Sequence, residues 1–103
     1  MADTYVYILR CSDGSYYTGT YRGADIETRV SEHKLGVYPN AYTASRRPVK
    51  LLWSEAFQRA EDAIKLERQI KGWSRKKKEA FMKGDWGEVS RLSKSKNPST
   101  SSG

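Results

Sequence analysis

The chain has 103 residues, with nineteen Lys and Arg against twelve Asp and Glu, a net charge of +7 and a pI near 9.6. A single modest core must hold a chain of this length. Its basic balance raises the odds of a polyanionic partner, nucleic acid first and a membrane surface second. A soluble, positively charged protein without such a partner is the alternative, and charge alone does not exclude it. No apolar run is long enough to cross a bilayer and no secretory signal is evident, so we expect a cytoplasmic protein with no membrane partner. The lone Cys11 cannot form an internal disulfide, and we expect a buried thiol.

A β-hairpin is predicted at the start of the chain. Residues 5–11 (YVYILRC) and 15–21 (SYYTGTY) are β-branched and aromatic, and the Asp-Gly pair between them is a strong hairpin signal. Alternation gives each strand one face rich in tyrosine. These faces carry, in the first strand, Tyr5, Tyr7 and Leu9 and, in the second, Tyr17, Gly19 and Tyr21. A glycine inside a strand often marks a bulge or a place where another backbone approaches.

Helices and a third strand are predicted for the rest of the chain. Asp25 can cap a helix over residues 26–35, and Gly36 is its stop signal. After a polar, aromatic loop, VKLLWSEAF (residues 49–57) reads as a strand with Val49, Leu51 and Trp53 on one side. The remaining predicted elements are a helix over residues 58–72, another in SRKKKEAFMKGDW, and a short turn from Asp85 to Leu92.

The order β-β-α-β-α-α predicts an α+β fold, a small sheet covered by helices. We expect one domain over residues 1–92. The segment from residue 93 to 103 is rich in serine and has no apolar residue, so it is predicted to be disordered.

Arg29 and His33 are four residues apart, so both project from one face of the first predicted helix. Ile26 and Val30 mark the buried stripe of that helix, with His33 near its edge and Arg29 just beyond. For an isolated pair, an exposed arginine and a histidine packed at the helix border is the simplest explanation. The functional alternative is a guanidinium directed at a phosphate, with an imidazole beside it for hydrogen bonding or proton transfer.

Glu67 falls within the apolar row of the second predicted helix, between Ala63 and Ile70. A carboxylate on such a face bends out to solvent, pairs, or holds a cation. An ion pair with Lys71, four residues on, would contribute about 0.3–0.5 kcal/mol if exposed. Alternatively Glu67 is a magnesium ligand, because Mg²⁺ often takes one protein carboxylate together with waters and a substrate phosphate. Periodicity alone does not decide between these two explanations.

Tyrosines and basic residues supply the other candidate groups. Tyr7 and Tyr17 lie on neighbouring strands, where packing is the simplest role, although a phenol beside a cation can also position or deprotonate a water. Arg46 and Arg47 share a loop with Tyr42, and a basic run, RKKK, starts at residue 75. Basic residues interleaved with aromatic ones suit a nucleic-acid groove, whereas a solvated helical face is the simpler explanation of the RKKK run.

Taken together, these features resemble the GIY-YIG nuclease superfamily over residues 4–92. Tyr5-Val6-Tyr7 stands where GIY would be, and Tyr17-Thr18-Gly19 where YIG would be. IETRVSEHKLG resembles the arginine-bearing helix of the family. Two further segments resemble the third strand and the glutamate helix of the family's small, stand-alone bacterial members. They are, in that order, RRPVKLLWSEAF and AEDAIKLERQIKGWSRKKKEA.

The resemblance implies a three-stranded antiparallel sheet flanked by helices, with the active site formed by the hairpin and two helices. Tyr7 and Tyr17 would be the motif tyrosines, one of which orients or activates the water. Arg29 would stabilise charge on the scissile phosphate, and His33 would assist by hydrogen bonding or proton transfer. Glu67 would ligate one Mg²⁺ or Mn²⁺ ion.

The leading hypothesis is therefore a metal-dependent endonuclease that cuts DNA, with RNA the less favoured substrate, in repair or recombination. A non-catalytic nucleic-acid-binding module on the same fold, or a domain that docks an acidic protein, are the alternatives. The residues expected to contact nucleic acid are Gly19, Tyr42, Arg46, Arg47, Lys71, Arg75 and Lys76.

Overall fold

The computed structural model describes residues 2–95, which fall into two compact units, one ending at Lys71 and the other beginning at Gly72. The first unit contains a three-stranded antiparallel sheet in the order β2-β1-β3. Its strands are β1 (Asp3–Arg10), β2 (Tyr16–Gly23) and β3 (Lys50–Phe57). The predicted α+β class and the antiparallel sheet implied by the resemblance are thus confirmed, and β2 is an edge strand.

The hairpin register unites the two tyrosine-rich faces that alternation predicted. Tyr5 pairs with Tyr21, Tyr7 with Gly19, and Leu9 with Tyr17. Because paired residues of antiparallel strands point to the same side, all these side chains share one face of the sheet. Gly19 lies directly opposite Tyr7, so the ring of Tyr7 can lie over a residue that has no side chain.

The prediction for the faces of β3 is wrong at its centre. Leu51 pairs with Leu9, but Trp53 pairs with Ile8, which points to the opposite side of β1. A register shift between Ile8 and Leu9 inserts one extra residue of β3 into the ladder. Such a β-bulge reverses the alternation beyond it, so Leu51 and Trp53 lie on different faces.

Helix α1 (Ile26–Leu35) begins and ends where the sequence predicts. The Asp25 carboxylate accepts a hydrogen bond from the backbone N–H of Thr28 at 2.9 Å. Gly36 adopts a left-handed conformation, with φ of 70°, and its N–H binds the last carbonyls of the helix. Ile26 and Val30 are buried in one core cluster with Tyr7, Leu9, Cys11 and Val49. Cys11 is a buried free thiol, as predicted.

Helix α2 (Ala60–Lys71) begins two residues later and ends one residue earlier than predicted, and it contacts all three strands. Its Ala63 and Ile70 are fully buried. The face of β1 that points away from α1 carries Val6 and Ile8, which are also fully buried. We infer that α2 covers this second face.

The second unit consists of α3 (Arg75–Lys83) and α4 (Trp86–Ser95). Ser74 caps α3, and Gly84 ends it in a left-handed conformation. Helix α4 continues three residues past the predicted limit at residue 92, and the rest of the predicted disordered segment lies outside the described residues. No helix among residues 2–95 is long and apolar enough to span a membrane.

Candidate active site

The hairpin brings two phenols together over Gly19. The ring centroids of Tyr7 and Tyr17 are 6.2 Å apart. A Cβ atom placed on Gly19 would lie 2.7 Å from the Tyr7 hydroxyl and 3.0 Å from the Tyr17 ring. Glycine at this position is therefore required by the close approach of two side-chain rings, and not by the bulge or the approaching backbone that the sequence predicted.

His33 reaches both tyrosines from α1. Its Nε2 is 2.9 Å from the Tyr7 hydroxyl, and its ring centroid is 5.4 Å from that of Tyr17. Its Nδ1 is 2.7 Å from the hydroxyl oxygen of Thr43. The histidine is only 3% exposed, so it lies deeper than the helix edge that its spacing predicted.

Burial keeps Tyr7 and His33 uncharged at neutral pH. It raises the pKa of the Tyr7 phenol well above its usual value, with a further contribution from the neighbouring Tyr17. Burial also lowers the pKa of His33, and the positive charge of Arg29 lowers it further against the opposing effect of Glu32. Tyr7 is therefore a protonated phenol and His33 a neutral imidazole.

Arg29 lies one helical turn before His33 and is held by aromatic rings. Its guanidinium carbon is 4.6 Å from the ring centre of Tyr21 and 5.1 Å from that of Tyr38. Its Nε is buried and lies 3.5 Å from a carboxylate oxygen of Glu32, too far for a good hydrogen bond, and has no hydrogen-bond partner in the described part of the chain. The cation is thus positioned by two aromatic rings and one carboxylate.

The loop after α1 supplies two side chains that the sequence analysis did not include in the site. Tyr38 donates a hydrogen bond to Glu32 at 2.5 Å and packs against His33 at 5.7 Å between ring centroids. Thr43 binds the far nitrogen of His33. The loop has no periodic pattern, and the only available signals were its aromatic content and the three-residue spacing of Arg29 and Glu32.

Glu67 is joined to Lys71 by an ion pair of 2.5 Å, the simpler of the two explanations that its spacing left open. Its side chain is 14% exposed, and it shares a helical face with the fully buried Ala63 and Ile70. Among residues 2–95, no hydrogen bond or ion pair joins Glu67 to Tyr7, Tyr17, Arg29 or His33. The structure thus brings four of the five predicted catalytic residues together and places the fifth on α2.

The side chains that could ligate a metal ion suit a cation bound through one carboxylate, that of Glu67. Within the described residues, no three His, Cys, Asp or Glu side chains are grouped so that they could hold a metal ion. The Lys71 ammonium pairs with one oxygen of Glu67, Oε2, and among the described residues no hydrogen bond or ion pair involves the other oxygen. A hard ion that keeps most of its waters fits such a site.

Tyr42 and Arg46 extend the cluster toward solvent. Tyr42 stacks on Tyr17, with ring centroids 6.1 Å apart, and is 43% exposed. The Arg46 guanidinium lies 3.8 Å above Tyr42 and is fixed by Asp13 at 3.2 Å and by the Tyr42 carbonyl at 2.8 Å. A planar cation and an aromatic ring are thus stacked beside Tyr17.

The other predicted nucleic-acid contacts have different surroundings. Arg47 donates to the carbonyls of Ala44 and Lys34 and packs against Gly36, so it stabilises the loop. In the second unit, Arg75 pairs with Glu79 at 3.2 Å. Lys76 lines a cavity of about 300 Å³ in that unit, together with Glu79, Lys83, Asp85 and Glu88 among others. Lys71 is the partner of Glu67.

Comparisons with known proteins agree with this geometry. A family model described as the GIY-YIG catalytic domain matches residues 3–80. A UPF0213 protein of Syntrophus aciditrophicus is 46% identical over 83 residues, which cover 81% of this chain and 93% of that protein. The solution NMR structure of a UPF0213 protein from Bacillus halodurans matches at 40% identity and a TM-score of 0.51, covering 79% and 83% of the two chains. The solution NMR structure of a protein from E. faecalis matches at 36% identity and a TM-score of 0.54, and the match covers 80% of this chain and 84% of that protein.

The antiparallel sheet, the paired tyrosine motifs and the matched catalytic domain define the class as an α+β domain of nuclease type. The chain belongs to the GIY-YIG family, and it is similar to small UPF0213 proteins. Nucleases of this family act on nucleic acid and are generally metal-dependent. The family resemblance drawn from the sequence is therefore confirmed.

Proposed function

We propose that this protein is a metal-dependent endonuclease that hydrolyses phosphodiester bonds in DNA. The observation that carries the proposal is the convergence of two phenols, an imidazole and a ring-held guanidinium on one face of the hairpin. Packing alone explains buried tyrosines, but it does not explain a buried Tyr–His hydrogen bond next to an arginine whose buried Nε–H has no hydrogen-bond partner in the described part of the chain.

Arg29 suits the charge that develops on a phosphate during hydrolysis. Its guanidinium is already positioned between Tyr21 and Tyr38, so little reorganisation is needed when an oxyanion forms. Tyr7 and Tyr17 lie on the same face of the hairpin, and their phenolic oxygens orient the attacking water. His33 acts on Tyr7 through the bond at Nε2, either by taking its proton or by donating one to its oxygen.

Glu67 would hold the single Mg²⁺ or Mn²⁺ ion through its unpaired oxygen. When bound, such an ion polarises the phosphate and neutralises the leaving oxygen. Strand β2 is at the edge of the sheet, with α1 on one face of the sheet and α2 on the other. A strand of nucleic acid lying along the free edge of β2 would therefore meet groups from both helices. Lys71 would then exchange its pairing with Glu67 for a phosphate.

Nucleic-acid contacts are proposed for the stack of Tyr42 and Arg46, whereas Gly19 is buried against the rings of Tyr7 and Tyr17 and would contribute only by allowing their close approach. The Asp13 and Tyr42 bonds use Nε and Nη1 of Arg46, which leaves Nη2 for a phosphate or a base edge. Arg47, Arg75 and Lys76 would contribute longer-range attraction to the phosphates.

A non-catalytic binding module is the second candidate, and one observation favours it. The Glu67 carboxylate is neutralised by Lys71 at 2.5 Å, an arrangement that is complete without a metal ion. In that case the tyrosines and arginines hold nucleic acid, and the Glu67–Lys71 pair only stabilises α2.

The decisive experiment incubates the full chain with Mg²⁺ or Mn²⁺ and labelled linear duplexes, flaps, junctions, single strands and RNA. Glu67→Gln should abolish cleavage and leave salt-sensitive binding largely intact, because the amide is a poor metal ligand of the same size. Glu61→Gln, on an exposed residue of the same helix paired with Arg59, is the matched control and should cleave like the parent. Binding without cleavage on every substrate would support the second candidate, and a preference for branched DNA would support a role in repair or recombination.

A further inference from the structure

The guanidinium of Arg29 carries a buried donor that the described part of the chain does not satisfy. Its Nε has no hydrogen-bond partner among residues 2–95, and the carboxylate oxygen Oε1 of Glu32 lies 3.5 Å away. A buried N–H without an acceptor is costly, and such groups are rare in folded proteins. A movement of Oε1 by about 0.6 Å would bring it to hydrogen-bond distance, so the gap between the two side chains needs an explanation.

Tyr38 explains this gap, because its hydroxyl binds the same oxygen of Glu32. The phenol donates to Oε1 at 2.5 Å, a short hydrogen bond to a charged acceptor. The backbone N–H of Val37 binds the carbonyl oxygen of Glu32 at 3.1 Å, so the loop that carries Tyr38 is anchored on the last turn of α1. The position of Oε1 is therefore set from the loop.

The ring of Tyr38 makes a second set of contacts, to Arg29 and His33. Its centre lies 5.1 Å from the guanidinium carbon of Arg29, and the ring of Tyr21 lies 4.6 Å from the same carbon. Its centroid is 5.7 Å from that of His33. An aromatic face attracts a cation through the ring quadrupole, whereas a carboxylate binds the N–H groups of the cation directly. One side chain thus contacts the arginine, the histidine and the carboxylate beside them.

We propose that Tyr38 is a positioning residue that keeps Arg29 available to a phosphate: its ring holds the guanidinium, and its hydroxyl holds the Glu32 carboxylate back from Nε. A carboxylate that closed on Arg29 would neutralise the guanidinium and repel an incoming phosphate. This catalytic consequence rests on the proposed nuclease function. The contacts themselves belong to the free protein, so they can be tested without substrate.

The first test follows the Nε–H of Arg29 by ¹⁵N–¹H correlation NMR of the full chain labelled with ¹⁵N-arginine. Arg29→Lys removes this signal and therefore assigns it. Tyr38→Phe keeps the ring and removes the hydroxyl, so Glu32 should close on Arg29 and the Nε–H proton should move downfield as it gains an acceptor. In the double variant Tyr38→Phe/Glu32→Ala, the signal should return toward its parent position. Tyr5→Phe, which removes a hydroxyl bonded to the Ala24 carbonyl, is the matched control and should leave the signal in place.

The second test measures the catalytic consequence by single-turnover cleavage. Tyr38→Phe should lower the rate by about five- to ten-fold, the worth of one hydrogen bond that the phosphate must displace. Removing the carboxylate as well, in Tyr38→Phe/Glu32→Ala, should restore most of the rate. A merely structural role of Tyr38 predicts the opposite, because the double variant then loses two contacts and is the slower of the two.

An Nε–H signal that a folded Tyr38→Phe protein leaves in place would overturn the role of the hydroxyl. A double variant slower than Tyr38→Phe would overturn the catalytic consequence. If Tyr38→Phe does not fold, Glu32→Ala alone decides: an Nε–H near its parent position supports the assignment, and an upfield shift would show that Glu32 was already its acceptor. If the parent cuts no substrate, the proposed function fails while the NMR result stands.

Discussion

Replacing Gly19 by alanine tests whether the site depends on the close approach of both rings. The added Cβ would lie 2.7 Å from the Tyr7 hydroxyl, whereas ordinary contact begins at 3.4 Å, so the two must separate by about 0.7 Å. Tyr7 is buried and bonded to His33, so its ring cannot simply swing away. Overpacking of this kind costs ~1–3 kcal/mol, or a fall in Tm of roughly 4–8 °C for each kcal/mol in a chain of this size.

The same displacement should reduce cleavage about 100-fold, because a shift approaching 1 Å misplaces the reacting groups. Circular dichroism melting gives the stability, and single-turnover cleavage gives the rate. Gly87→Ala is the matched control, since its Cβ would lie 3.8 Å from the carboxylate of Asp85, an ordinary van der Waals contact. A Gly19→Ala protein that melts and cleaves like the parent would show that the site does not depend on the close approach of Tyr7 and Tyr17 to Gly19.

Three further variants probe the surroundings of the cluster. Arg29→Ala should lower turnover by about 10²–10³-fold with a smaller effect on affinity, because the arginine stabilises the transition state more than the bound substrate. Equal losses of turnover and affinity would contradict this role. Arg46→Ala should weaken DNA binding and reduce the slope of log K against log [salt] by about one, as measured by fluorescence anisotropy; an unchanged slope would exclude a phosphate contact. Burial and Arg29 lower the pKa of His33, so its contribution to stability is complete above the ordinary value of 6.5 and is lost as the pH falls below it. Lowering the pH from about 7.5 to 5 should therefore reduce the Tm of the parent more than that of His33→Gln, and equal reductions would contradict the burial of a neutral imidazole.

Local patterns predicted the hairpin and α1 because the signals were strong and close in sequence. The Asp-Gly turn fixed which residues of β1 and β2 pair, and Asp25 and Gly36 fixed both ends of α1. These patterns placed Tyr7 beside Tyr17 and Arg29 beside His33, whereas the meeting of α1 with the hairpin was implied only by the family resemblance.

The rest of the fold and of the candidate site depended on features that patterns in a single sequence do not encode. The bulge in β3 separated Leu51 from Trp53, because a one-residue insertion leaves the local composition unchanged. Thr43 lies ten residues from His33 in an irregular loop, which includes a short 3₁₀ turn over Ala44–Arg46, and only the fold brings its hydroxyl to the imidazole. The depth of His33 likewise follows from packing by that loop, since the spacing along α1 indicated only the edge of the buried stripe.

The central claim is that the Tyr7 cluster cuts phosphodiester bonds, and single-turnover cleavage by Tyr7→Phe tests it most directly. This change removes one oxygen and leaves the buried ring in place, so the fold should persist. Tyr5→Phe, which removes a hydroxyl bonded to the Ala24 carbonyl, is the matched control. We predict that Tyr7→Phe loses at least ~100-fold in rate while Tyr5→Phe stays close to the parent. Cleavage at the parent rate by a folded Tyr7→Phe protein would show that the Tyr7 hydroxyl takes no part in the reaction.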